Sequence, residues 1–137
     1  MMKVFNNSFA VSTNKRCELI DITDKIQDIA DKAGISEGTV TVYCPHTTAA
    51  ITINENADPD VVHDILLTLS ELVPQDRSGY RHSEGNSDAH VKSSIIGCSK
   101  TILISSGKMQ LGTWQGIYFC EFDGPRKRTV NVQITGQ

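Results

Sequence analysis

The stretch GIYFCEFDGPRKRTVNVQI, residues 116–134, decides how the chain is put together. Ile117, Phe119 and Glu121 share one face of a strand from Gly116 to Phe122, and Val130, Val132 and Ile134 alternate with Thr129, Asn131 and Gln133 in a second. Asp123-Gly124-Pro125 turns the chain between them. A parallel neighbour would need a long crossover, usually a helix, whereas a tight turn joins antiparallel strands. The closing third of the chain therefore reads as antiparallel β structure.

Working back from it, Thr101 to Ser105 reads as a strand followed by a Gly107-Lys108 turn. After Gly38, Val40, Val42 and Cys44 alternate with Thr41 and Tyr43, Pro45-His46 breaks the run, and Ala49, Ile51 and Ile53 resume it. Cys17 to Ile22 suits a strand, and Lys3 to Val11 an opening strand with a bend at Asn6-Asn7. Helical spacing of Ile26, Ile29, Ala30 and Ala33 follows Thr23, the expected N-cap, and Gly34 stops that helix. Asp58-Pro59 opens a second helix, with Val62, Ile65, Leu66, Leu69 and Leu72 as its apolar face up to Pro74. A short third helix begins at Asn86 or Ser87 and ends at Gly97. With no internal repeat or linker, residues 1–137 read as one α+β domain whose sheet is largely antiparallel.

Charge narrows the function. Thirteen basic and 16 acidic residues give a net charge of -3, with no basic stripe to neutralise a nucleic-acid backbone. No apolar run reaches membrane-spanning length and the first residues lack a secretory pattern, so the expectation is a cytoplasmic protein with neither a membrane nor a nucleic-acid partner. Cys17, Cys44, Cys98 and Cys120 form no CxxC pair and sit in or beside strand-like segments, which argues against disulfides and cysteine-bound zinc.

Chemistry concentrates in GYRHSEGNSDAHVKSS, residues 79–94. His82 and His90 flank a polar, turn-forming segment that can fold back on itself, and His46 sits in the break between two strands. Three neutral imidazoles with an open fourth position are a familiar catalytic metal arrangement, so His46, His82 and His90 are candidate ligands for a divalent ion, zinc or magnesium-like; the alternative for each is a hydrogen-bonded surface or cap histidine. Glu121 shares a face with Ile117 and Phe119, so it is a candidate catalytic group unless solvent reaches that strand end. Glu55 precedes the second helix without an obvious structural task, whereas Asp58 is its N-cap; Asn86 is either a helix cap or part of an anion site at that helix start. Thr47, Thr48, Lys92, Arg126 and Arg128 are candidate substrate contacts, the arginines suiting bidentate phosphate binding unless they form a solvated edge. Trp114 and Gln115 lie between Gly112 and Gly116, where tryptophan either walls a pocket or plugs the core. His63, inside the second helix, is expected to face solvent.

The blocks Cys44-Pro45-His46-Thr47-Thr48-Ala49, Asn54-Glu55-Asn56-Ala57-Asp58-Pro59, His82-Ser83-Glu84-Gly85-Asn86, Ala89-His90-Val91-Lys92-Ser93-Ser94, Leu111-Gly112-Thr113-Trp114-Gln115-Gly116-Ile117 and Glu121-Phe122-Asp123-Gly124-Pro125-Arg126 closely resemble the YjbQ-like family, labelled secondary thiamine-phosphate synthase. The resemblance runs from about residue 17 to the end. It implies a sandwich of two antiparallel sheets with outer helices, a homotrimer, and the joining of a pyrimidine diphosphate to a thiazole phosphate with release of pyrophosphate. The loop between Glu84 and His90 is shorter and less acidic than in relatives with consecutive aspartates, which argues against a carboxylate-rich metal site. A metal-dependent hydrolase of a small phosphate or ester, with Glu121 or Glu55 as base, and a non-enzymatic trimeric binder of a small anionic metabolite are the rival readings.

Overall fold

Eleven elements follow one another along a computed structural model that describes residues 1–137. They are β1 (Lys3–Ser12), β2 (Glu18–Asp21), α1 (Thr23–Ala33), β3 (Gly38–Tyr43), β4 (Ala49–Glu55), α2 (Pro59–Leu72), α3 (Ser87–Ile96), β5 (Ser99–Ser105), β6 (Lys108–Met109), β7 (Gln115–Glu121) and β8 (Lys127–Gly136). One sheet has five strands in the order β1-β8-β3-β5-β6, the other three in the order β2-β7-β4. Every pairing is antiparallel. The α+β sandwich expected from the turns and the family blocks is the architecture found.

The alternation of apolar residues explains how the sheets face each other. Val40, Val42, Val130, Val132 and Ile134 of the large sheet meet Ile51, Ile117 and Phe119 of the small one, and α1 closes the side with Ile26, Ile29 and Ala30. Each such fully buried aliphatic or aromatic side chain contributes about 1.5–3 kcal/mol of transfer free energy. The opposite face of β7 presents Cys120, which joins Phe122, Ala50 and Ala89 in a second small cluster. Burial pushes the Cys44 thiol up to about 11 and Cys120 up to about 12, and all four cysteines are free.

The two closing strands do not pair with each other. β7 lies at the centre of the small sheet and β8 between β1 and β3 in the large one, so the Asp123-Gly124-Pro125 turn is a corner that carries the chain from sheet to sheet. Segment 13–16 holds that corner: Thr13 N–H donates to Arg126 O and Gly124 N–H to Arg16 O, each at 2.9 Å. A side chain at Gly124 would collide with Lys15 O, Thr13 and Glu121.

Local expectations differ at four points. β1 runs in unbroken register against β8 from Lys3 to Ser12, so Asn6-Asn7 makes no bend. Thr23 lies inside α1 and is not its cap; Asp21 Oδ1 accepts from Thr23 N–H at 2.9 Å, and Thr23 Oγ1 accepts from Ile117 N–H at 2.8 Å, which ties the helix start to β7. Asp58 caps α2 as expected, accepting from Asp60 N–H, but none of the residues of α2 is buried. A short strand, β6, follows the Ser106-Gly107 turn. No helix is long and apolar enough to cross a membrane.

The outer face of the large sheet carries no helix. Asn6, Ser8, Thr41, Tyr43, Asn131 and Gln133 line a shallow concavity there of about 730 Å³.

Candidate functional site

At the sheet-to-sheet corner, Glu121 is the last residue of β7 and Arg128 the second of β8, and both face inward. Glu121 is 0% exposed and Arg128 4%. Arg128 Nε donates to Glu121 Oε1 at 2.8 Å and Nη2 to Oε2 at 2.5 Å. Thr13 Oγ1 and the Asp123 amide donate to the same carboxylate at 2.9 and 3.0 Å. Burial alone would push Glu121 up, but the Arg128 guanidinium, the Asp123 amide and the Thr13 hydroxyl outweigh it and hold the carboxyl below its ordinary value. This carboxylate is fully engaged, so Glu121 positions Arg128 and is not a free base. Thr48 completes the cradle, its Oγ1 accepting from Arg128 Nη2 at 2.8 Å.

Above Arg128 opens a cavity of about 360 Å³ whose lining, Pro45 apart, is polar or charged. His46, Thr47 and Thr48 enter it from the break after β3, Glu84, Asn86 and His90 from the loop and first turn of α3, and Asp123, Arg126 and Arg128 from the corner. Arg128 Nη1 makes no hydrogen bond within the protein. Arg126, half exposed, donates to Asp123 O at 2.9 Å and Oδ2 at 3.0 Å. Asn86 stands at the N-cap of α3 without capping it; its amide donates to Asp123 Oδ2 at 2.8 Å, leaving Oδ1 the one buried side-chain polar atom without a partner. An adjoining cavity of about 410 Å³ shares His46, Thr47 and His90 and continues to Ser93, Ser94 and Cys98.

Within one chain the three histidines do not fit a metal centre. His46 Nε2 accepts from Thr129 N–H at 2.9 Å, so its lone pair is taken. The His82 and His90 rings stand edge to face with centroids 5.3 Å apart, and His82 Nε2 lies 3.4 Å from Glu84 Oε2. No group of three or more His, Cys, Asp or Glu is arranged to hold an ion.

The match to a family model described as UPF0047 protein YjbQ-like covers residues 7–137. The chain belongs to the UPF0047 family. A UPF0047 protein of Methanocaldococcus jannaschii is 56% identical over 93% of this chain and 92% of its own length, and YugU of Bacillus subtilis is 52% identical over 92% and 96%. A crystal structure of a protein of unknown function from Sulfolobus solfataricus superposes with a TM-score of 0.96 at 36% identity, covering 100% of both chains.

The candidate residues separate into two groups on this fold. His46, Thr47, Thr48, Asn86, His90, Arg126 and Arg128 gather at the cavity. Glu55, Trp114 and Gln115 do not: Gln115 pairs with Glu55 at the far end of β7, about 20 Å along the strand from Glu121. There Glu55 accepts from Asp58 N–H at 3.2 Å, Gln115 Oε1 from Gly112 N–H at 2.8 Å, and Trp114 is 62% exposed, so it neither plugs the core nor walls this cavity. Lys92 is also elsewhere, 4% exposed beneath α3, donating to Asp88 at 2.9 Å beside Phe122. Asp88, 0% exposed, takes Arg16 on its other side at 2.9 and 3.1 Å. His63 is exposed on α2, as expected.

Proposed function

We propose that the chain binds the phosphate of a small phosphorylated metabolite in the cavity between His46 and Arg128, and acts on it as a transferase. The observation that carries this reading is Arg128: buried, clamped by Glu121 and Thr48, with Nη1 unpartnered within the protein, on the wall of a largely polar cavity. A guanidinium fixed in this way loses little freedom on binding an anion, and Arg126 adds a second charge at the rim. For the condensation that the family label names, the pyrimidine methylene C–O bond breaks with its electrons leaving on pyrophosphate, and the thiazole nitrogen forms the new C–N bond. Stabilising that leaving group is the task this site suits. Glu84 and His90, facing the same cavity, supply the observation behind the rival hydrolase reading.

Incubation with the pyrimidine diphosphate and the thiazole phosphate should release pyrophosphate only when both are present. In Arg126→Lys, which keeps the charge but loses the fork, KM should rise about tenfold. Phosphate release from either precursor alone would replace the transferase with a hydrolase, and saturable binding without turnover would leave a binding module.

Homotrimeric assembly belongs to the same reading, as does a cytoplasmic location. The uncovered outer face of the large sheet and the exposed Leu67, Leu72 and Ile95 on helices support a partner copy. In a cyclic assembly the Trp114 end of one chain is free to approach the cavity of another. Light scattering at micromolar concentration should return about three times the 15.0 kDa chain mass; a stable, active monomer would end the trimer proposal.

A further inference from the structure

His46 owes its orientation to a strand that stops early. Extending the β3–β8 register beyond Tyr43↔Asn131 would set residue 45 opposite Thr129, but residue 45 is proline and the chain leaves the sheet there. The Thr129 amide is thus left without a strand carbonyl, and His46 Nε2 takes its place as acceptor at 2.9 Å. A backbone amide can only donate, so no choice of tautomer is open: Nε2 carries the lone pair and the neutral ring holds its proton on Nδ1. Nδ1 has no partner within the protein, and His46 lines both adjoining cavities.

We infer that His46 is a fixed, uncharged hydrogen-bond donor, presenting Nδ1–H to a phosphate oxygen of the ligand, and is neither a metal ligand nor a cationic anion-binding group. This rests on the phosphate reading above. A second proton would have to displace the Thr129 amide. It would also meet the charges of Arg128 and Arg126, with Asp123, Glu84 and His90 as the other ionisable groups lining the cavity and Glu121 buried behind Arg128. Burial, followed by the Arg128 charge, holds the imidazole below its ordinary value. A neutral imidazole donor suits a site that must release its product, because it strengthens as charge develops on the acceptor without adding a permanent ion pair.

Long-range proton–nitrogen spectra of the histidine-labelled full chain, with His46 assigned by the peak lost in His46→Gln, decide the tautomer without any ligand. The expected pattern is Nδ1–H with bare Nε2, persisting at pH values below about 6.5, where an ordinary imidazole is charged. An Nε2–H tautomer, an imidazolium just below that pH, or a shift of His46 on adding zinc chloride would overturn the inference. Titration with inorganic phosphate then tests the donor. His46→Ala and His46→Gln should raise Kd about tenfold, whereas His46→Asn, whose amide reaches the Nδ1 position, should stay within about threefold of the wild type. Equal affinities in all four proteins would remove His46 from the ligand. Should the wild type bind no phosphate, the proposed function fails and the donor role with it, even if the spectra return the Nδ1–H tautomer.

Discussion

Glu121→Ala or Arg128→Met is expected to destabilise the fold by about 3–5 kcal/mol, because each leaves the other charge buried and unpaired. Urea unfolding at fixed protein concentration measures this directly. The double variant Glu121→Met/Arg128→Met should recover most of the loss, since an apolar pair needs no partner charge. A double variant as unstable as the two singles combined would mean that the residues are not a coupled pair. The pH dependence has a definite sign. Glu121 has a lowered folded value, so the unfolded chain takes up its proton first as acid is added. Its stabilisation is present in full above the ordinary value of 4.5 and is lost as pH falls through the folded value. The wild type should therefore lose stability below about pH 5 more steeply than Glu121→Ala does. Parallel acid curves would remove Glu121 from the account.

Asp88→Ala is the second large effect. It strips the carboxylate that Arg16 and Lys92 share and leaves the Lys92 ammonium 4% exposed without a partner. The expected loss is again about 3–5 kcal/mol. Because Asp88 lies in the first turn of α3 and Arg16 just before β2, the damage should begin where they meet. Amide exchange over α3 should accelerate before exchange in β7 and β8 does. Burial pushes Asp88 up, but Arg16 and Lys92 hold it below its ordinary value, so this contribution too is lost in acid. An unfolding free energy within about 0.5 kcal/mol of the wild type would show the triad to be energetically neutral.

How much of this was legible in the sequence depended on the kind of signal. Strands were readable because side chains alternate between faces with a period of two, seen in the burial of β8, and that parity also flagged Glu121 as an acid on the face of Ile117 and Phe119, although β7 is buried on both faces. The same parity held an unread message: Arg128 is in phase with Val130, Val132 and Ile134, so it had to point inward, toward Glu121. Side-chain rivalry was not legible. Asn86 looks like a cap until Asp123, far along the chain, takes its amide, and Thr23 looks like a cap until its hydroxyl is drawn to Asp21 and the Ile117 amide. Nothing local to His46 announces the Thr129 amide that occupies it. The apolar face of α2 was read correctly, yet it lies half-buried in the single chain, because periodicity states which side is apolar and not what covers it. Lys92 resembled a phosphate ligand by charge alone, whereas its fate was set by Asp88 one helical turn before it.

The position of β8 has a consequence for how the protein comes into being. β1 and β3 never touch as partners; each pairs with β8, which is made after every other strand. A nascent chain emerging from the ribosome thus holds β1 and β3 ready long before the strand that joins them exists. Their unpaired edges must wait for residues 127–136, and during that interval they offer the same hydrogen-bonding surface to any passing strand. The large sheet therefore closes in one late step, once residues 127–136 have left the exit tunnel.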